Sequence, residues 1–147
     1  MRGLLFEADS IVADWAFRTH KFHPMKFDKA VGIVDRGDLV GAIIWQNYNG
    51  FNIDFSYYGH NTATLGIMRS VAQHTLKVFN PTRVTIMTPK TNKSLIRFLT
   101  RIGGRFEGAM RNYYGERGAS SIAVRFMFPR STVETLAQMD KVKRAAS

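Results

Sequence analysis

The sequence contains no cysteine. This absence excludes a disulfide framework, thiolate ligation of zinc or of iron–sulfur clusters, and a catalytic thiol. Long apolar runs are lacking as well, since the one near the start, Gly3 to Phe6, is broken at once by Glu7 and Asp9. A membrane-spanning helix needs about 18 apolar residues. We therefore expect no membrane span and no signal peptide, and a cytoplasmic protein.

Acidic residues are also scarce, because 11 Asp and Glu stand against 21 Lys and Arg and give a formal net charge of +10. Such a surplus favours anionic partners such as nucleic acid, a nucleotide cofactor with several phosphates, an acidic protein or an anionic membrane surface. The net charge alone does not distinguish between these kinds of partner. With 45% apolar residues, a chain of 147 residues is long enough to bury the core of one domain.

Periodicity and turn residues predict an order of helix, three strands, helix, strand, helix and two strands. The polar turn from Asp35 to Asp38 predicts a hairpin, and Asn49-Gly50 predicts a second tight turn. Gly103-Gly104 predicts the end of the last of these helices. The predicted elements are a helix from Asp9 or Ser10 to before Pro24, strands at 30–34, 39–48 and 51–58, a helix at 65–79, a strand at 83–88, a helix at 94–102, and strands at 106–114 and 122–128.

This order predicts a single α+β domain, with one sheet flanked by helices, over residues 1–130. Residues 131–147 are expected to be a basic C-terminal tail or helix, with Lys141, Lys143 and Arg144. No internal repeat or linker divides the chain.

The segment from Asn92 to Arg111 resembles the C-terminal signature of the GNAT acyltransferases. The residues that carry the resemblance are Asn92, Leu99, Gly103, Glu107, Gly108 and Arg111, at the offsets of the branch that resembles ribosomal-protein N-acetyltransferases. Residues 40–130 also resemble small GNAT proteins encoded by tailed phages. The resemblance implies the GNAT fold, a single mixed and mostly antiparallel central sheet flanked by helices.

The activity implied by this resemblance is transfer of an acetyl group from acetyl-CoA to a primary amine of a protein, peptide or small molecule. The alternative is a catalytically degenerate GNAT-fold protein, acting as a phage structural or host-interaction module with virion or host proteins as partners. A phage-encoded protein would work in the host cytoplasm or the virion. A homodimer is compatible with either reading. Nucleic acid is not expected as a partner, because the sequence contains no known nucleic-acid-recognition motif.

In the position of the family's phosphate loop, Arg/Gln-x-x-Gly-x-Gly/Ala, this chain has Gly59 to Gly66 without the doubled glycine. Backbone amides and a helix N-terminus receive the cofactor's pyrophosphate there in the family. The degenerate alternative rests on this difference, on the absence of the family's helix tyrosine and on the basic C-terminal tail. The cofactor-binding residues that the resemblance implies are Tyr58, His60, Asn61, Thr62, Ala63, Thr64, Leu65, Asn92 and Ser94.

Acetyl transfer requires a group that protonates the leaving thiolate and a base that receives the amine proton. The family's helix tyrosine falls on Leu99, which can do neither. The candidates for the acid are Tyr113, Tyr114 and, near the start of a helix, Ser94. The candidates for the base are Asp54, His60 and, through a water, Glu107. His20 and His23 lack a third ligand at metal spacing, so no metal site is expected.

Two further features keep alternatives open. Glu107-Gly108 is expected to form a strand bulge. A basic group, Lys90, Lys93, Arg97, Arg101, Arg105 and Arg111, could be a solvated face, a site for the ribose phosphate of coenzyme A, or a nucleic-acid contact.

Overall fold

The computed structural model describes residues 2–59, 64–115, 118 and 121–139. Over these residues the chain forms seven strands and four helices. They are β1 (Arg2–Leu5), α1 (Asp9–Thr19), β2 (Lys29–Asp35), β3 (Asp38–Gln46), β4 (Asn52–Gly59), α2 (Leu65–Val78), β5 (Arg83–Pro89), α3 (Lys93–Arg101), β6 (Arg105–Met110), β7 (Ala123–Pro129) and α4 (Arg130–Gln138).

The strands form one sheet in the order β1-β2-β3-β4-β5-β7-β6. Only β4 and β5 pair in parallel among the described strands, and the other neighbours are antiparallel. The predicted α+β class with a mixed, mostly antiparallel sheet is therefore confirmed.

Helices lie on both faces of this sheet, as predicted. Met68 of α2, Leu99 of α3 and Leu136 of α4 are buried in one core on the first face. On the opposite face, Phe17 of α1 joins a second, smaller core that includes Tyr58 of β4. Because side chains alternate along a strand, β4 contributes to both cores.

The backbone conformation at a hairpin turn, at a helix end and at a strand bulge confirms three sequence predictions. Arg36 and Gly37 both have positive φ (55° and 87°), as a two-residue primed hairpin turn requires. Gly103, with φ of 104°, follows α3, and the N–H of Gly104 donates to the carbonyl of Leu99 at 2.8 Å. The β6–β7 register shifts between Phe106 and Gly108, which is the expected bulge.

Three sequence predictions were wrong. β1 was not predicted, because four residues are too few to display a period; it pairs with β2 along the sheet edge. Asn49-Gly50 is not a two-residue turn but part of a five-residue loop, 47–51, in which the Asn49 side chain accepts from two backbone N–H groups. β6 ends at Met110, and 111–114 form a turn in which Asn112 has φ of 57°.

The C-terminal helix α4 packs against α2 and buries Val133 and Leu136. Arg69 of α2 donates to the carbonyl of Met139 at 3.1 Å. The predicted tail residues Lys141, Lys143 and Arg144 lie outside the described residues. No helix in the described part of the chain is long and apolar enough to cross a membrane.

Replacing Thr75 by Val should lower the free energy of unfolding by about 1–3 kcal/mol, the cost of an unpaired buried polar group. The indole N–H of Trp45, which is fully buried, donates to the Thr75 hydroxyl at 2.9 Å, and that hydroxyl donates to the Val71 carbonyl at 2.7 Å. Urea unfolding measures the loss, with Thr75→Ser as the control that keeps the hydroxyl. A Val variant as stable as the wild type would show that this hydrogen bond does not tie α2 to β3.

Candidate functional site

The two parallel strands separate halfway along their length. Their pairing runs from Asn52–Arg83 to Phe55–Ile86 and stops there. Residues 56–59 of β4 remain paired with β3, and 87–89 of β5 remain paired with β7. The separation leaves a cleft between residues 56–59 and 87–89, into which the backbone edges of both strands face. We call this opening the cleft.

The N-terminus of α2 lies at the open end of the cleft, because α2 follows β4 after a short connection. Thr64 is its N-cap, and its hydroxyl accepts from the Ile67 N–H at 3.2 Å. Leu65 and Gly66 carry first-turn N–H groups, which have no acceptor within a helix. The first turn holds no acidic residue, and the sequence has no carboxylate between Asp54 and Glu107. This helix end is therefore suited to an anion.

Asn92 and Ser94 lie near the same end, because α3 begins a few residues after the end of β5. Asn92 is the N-cap of α3, and its side-chain oxygen accepts from the Leu95 N–H and from the Ser94 hydroxyl, each at 3.4 Å. Of the remaining predicted cofactor residues, His60, Asn61, Thr62 and Ala63 lie outside the described residues.

An aromatic cluster borders the end of β4 on the face covered by α1. Its members are Phe17, His20, Phe22, Tyr58, Tyr113 and Tyr114. The Tyr58 ring centroid lies 6.1 Å from Phe17, 5.3 Å from His20 and 6.0 Å from Phe22. Phe22 is 6.1 Å from Tyr114, which is 5.0 Å from Tyr113. The structure thus brings the two candidate tyrosines close to Tyr58.

Burial sets the proton affinities in this cluster. It raises the pKa of Tyr114, and the neighbouring Tyr113 and Tyr58 raise it further. Burial also raises the pKa of Tyr58, although a hydrogen bond with Ser56 opposes the shift. His20 is exposed, but partial desolvation against the Tyr58 ring lowers its pKa from 6.5. At neutral pH the phenols of Tyr58 and Tyr114 are therefore protonated, and the imidazole of His20 is neutral.

Asp54 lies apart from this cluster, in the paired half of β4 opposite Thr85. Four residues separate it from Tyr58, or about 13 Å along the strand. Its carboxylate accepts from the side-chain amides of Asn47 and Asn52, at 3.1 and 2.8 Å, and from the Thr85 hydroxyl. Its role as the base stays a prediction.

The Asp54 carboxylate also belongs to an ion-pair network on this face of the sheet. Arg125 Nη2 is 3.5 Å from Asp54, and Arg125 Nε is 3.6 Å from Glu107. Glu107 is also 2.5 Å from Arg83 Nη2. The network places two carboxylates between two guanidinium groups, so its charges are largely balanced.

Sequence reasoning missed His20 and Phe22 as neighbours of Tyr58. It considered His20 only as a metal ligand. Their contacts join residues that are distant in the chain, so no local pattern could have revealed them. Leu99, at the position of the family tyrosine, is 1% exposed. Within the described ranges no group of three or more His, Asp or Glu could hold a metal ion.

Comparison with known proteins connects this architecture to acetyltransferases. No protein-family profile matches the sequence, and no curated protein is significantly similar to it. Mutant forms of the spermidine/spermine N-acetyltransferase SpeG from Vibrio cholerae superpose with a TM-score of 0.62 at 12% identity, over 83% of this chain and 77% of that one. The GNAT-family acetyltransferase from Bacillus anthracis gives 0.55 at 14% identity, over 69% and 66% of the two chains.

A third structure, of a protein whose acetyltransferase activity is itself inferred, gives a TM-score of 0.62 at 15% identity. The match covers 74% of this chain and 62% of the length of that protein. Likeness at such identities establishes the fold, and the fold is that of GNAT acetyltransferases.

The stability of the protein should decrease as pH falls below about 6.5, because His20 binds a proton less readily in the folded chain than in the unfolded one. Above 6.5 the imidazole is neutral in both states, so its contribution is constant there. Urea midpoints measured between pH 5 and 8 should fall less steeply on the acid side for His20→Gln than for the wild type. Equal acid slopes would show that the partial desolvation of His20 does not contribute.

Proposed function

We propose that the protein is an N-acetyltransferase that transfers the acetyl group of acetyl-CoA to a primary amine of a protein, peptide or small molecule. One observation carries the proposal: β4 and β5 separate beside the N-terminus of α2, in a fold shared with acetyltransferases. The fold alone would not suffice, because one fold serves many functions.

The donor groups at this end of the sheet fit acetyl-CoA. The edge of β4 beyond Phe55, where the pairing with β5 has ended, offers hydrogen bonds to an amide-containing arm. The N–H groups of Leu65 and Gly66 suit a pyrophosphate. No carboxylate between Asp54 and Glu107 repels the phosphates. Thr64, Asn92 and Ser94 would border the same ligand. Acetyl-CoA, when bound, supplies the acetyl group as a thioester.

The chain's own residues would then act on protons and on charge. Attack by a neutral amine forms the amide C–N bond and breaks the thioester C–S bond, so one proton leaves the nitrogen and one is taken up by sulfur. Backbone N–H groups of the β4 edge would stabilise the negative charge on the carbonyl oxygen. Tyr114 is the donor to sulfur in this proposal, because its phenol belongs to the aromatic cluster at the end of β4. Its raised pKa keeps the phenol protonated at rest, although it also makes the phenol a weaker acid. His20, which is neutral at pH 7, and Asp54 are candidate bases.

The acceptor amine belongs, on electrostatic grounds, to a neutral or acidic molecule. SpeG is named for spermidine and spermine, which are polycations. This chain carries a net charge of +10 and repels polycations at long range. We therefore propose that its acceptor differs from that of SpeG.

Gly66→Glu should weaken acetyl-CoA binding by at least tenfold without lowering the melting temperature. A carboxylate in the first turn of α2 repels a pyrophosphate but interacts favourably with the helix dipole, by about 0.3–1 kcal/mol. Isothermal titration with acetyl-CoA, coenzyme A and ADP measures the effect, and Gly66→Gln is the uncharged control of similar size.

Wild-type protein should bind acetyl-CoA much more tightly than ADP. If Gly66→Glu retained full affinity for acetyl-CoA, the cofactor site would not lie at the N-terminus of α2. Absence of wild-type binding at millimolar acetyl-CoA would overturn the acetyltransferase proposal and favour the alternative, a non-catalytic module that docks on phage virion or host proteins.

Tyr114→Phe should lower kcat about 10²- to 10⁴-fold, the usual contribution of a general acid, with little change in acetyl-CoA affinity. Phe keeps the ring contacts and removes only the hydroxyl. The adjacent and more exposed Tyr113→Phe is the matched control, because Tyr113 is 49% exposed. A larger loss of kcat in the Tyr113 variant would reverse the assignment of the two tyrosines.

A further inference from the structure

The outer surface of α3 is strongly basic. Lys93, Arg97 and Arg101 recur every four residues and so share one face of the helix. All three are exposed, while Leu95 and Leu99 on the opposite side are buried in the core. Neither this helix nor its flanking turns contain an acidic residue.

These three cations form no ion pair with any carboxylate in the described part of the chain. The nearest acidic residue in sequence, Glu107, is already paired with Arg83 and Arg125. The positive charge of α3 is therefore not neutralised by a described neighbour, unlike that of the ion-pair network on the other face of the sheet.

An exposed aromatic ring lies on the same side of the sheet as α3. Phe106 of β6 is 63% exposed, and its ring contacts that of the core residue Phe126 at 5.9 Å, edge to face. Within α3, the Arg101 guanidinium lies 5.8 Å from the centre of the Phe98 ring. Cations combined with an exposed ring are the usual elements of a surface that binds single strands.

We propose that the α3 surface, defined by Lys93, Arg97, Arg101 and Phe106, binds single-stranded nucleic acid. The cations contact successive phosphates, and a base stacks on Phe106. The guanidinium groups suit phosphate because their planar donors bind it bidentately. The absence of a nucleic-acid-recognition motif does not argue against this proposal. Contacts to the phosphate backbone and stacking of bases do not depend on the base sequence of the strand.

The geometry separates most of this surface from the proposed cofactor site, because only Lys93 lies beside Asn92 and Ser94. α3 begins at the open end of the cleft and runs away from it, so Arg101 lies about 12 Å along the helix from Lys93. An acidic protein would pair with the same cations but would leave the exposed Phe106 ring without a stacking partner. A single-stranded nucleic acid contacts the cations through its phosphates and the Phe106 ring through a base.

Fluorescence anisotropy with a labelled oligouridylate of about 12 nucleotides tests the proposal, at several salt concentrations. The double variant Arg97→Ala/Arg101→Ala should bind more weakly, and the slope of log affinity against log salt should decrease by about 1.4, or 0.7 for each lost phosphate contact. The matched control, Lys26→Ala/Lys77→Ala, removes the same net charge from exposed positions elsewhere and should change affinity much less.

Phe106→Ala should weaken binding about tenfold and leave the salt slope unchanged, because stacking releases no counterions. Neither Phe106→Ala nor the double arginine variant should change acetyl-CoA binding, so this result is independent of the proposed enzyme activity.

Three outcomes would overturn the proposal: no saturable binding of the oligonucleotide at low salt, equal losses in the double variant and its control, or full displacement of the oligonucleotide by coenzyme A. Displacement by polyglutamate at equal charge would instead assign the surface to an acidic protein.

Discussion

The architecture depends on one parallel strand pair in an otherwise antiparallel sheet. Parallel neighbours cannot be joined by a tight turn, so the chain must cross over through a helix, and α2 is that helix. Because the crossover leaves from the open end of β4, the positive end of α2 lies beside the cleft. The placement of this helix end beside the separation after Phe55 and Ile86 therefore follows from the connection between the two parallel strands.

The uneven distribution of acidic residues gives this topology its chemistry. Between Asp54 and Glu107 the chain builds α2, β5 and α3 without a carboxylate. The two acids that border this stretch are held by Arg83 and Arg125 on the opposite face of the sheet. The positive field at the cleft and on α3 is thus not cancelled from within these segments. Both proposed ligands, a pyrophosphate cofactor and a nucleic-acid strand, are anions suited to that field.

Much of the fold followed from local patterns in the sequence. Arg36-Gly37 and Gly103-Gly104 were interpreted correctly, because positive φ is a requirement of single residues. Asn49-Gly50 led to the wrong prediction of a two-residue turn, because the same dipeptide also fits a longer loop that the Asn49 side chain stabilises. β1 was missed because its four residues gain their stability from pairing with β2 rather than from their own pattern.

The sequence by itself determined the class of the fold, the bounds of α2 and α3 to within a residue, the excess of positive charge and, through Asn92 to Arg111, the resemblance to acetyltransferases. Only the tertiary structure decided that Tyr114, Phe22 and His20 meet around Tyr58 while Asp54 stays in the paired half of β4. The physical reason is one of range. Periodicity and turn conformation are set within a few residues, whereas contacts between distant segments depend on the register and packing of the whole sheet.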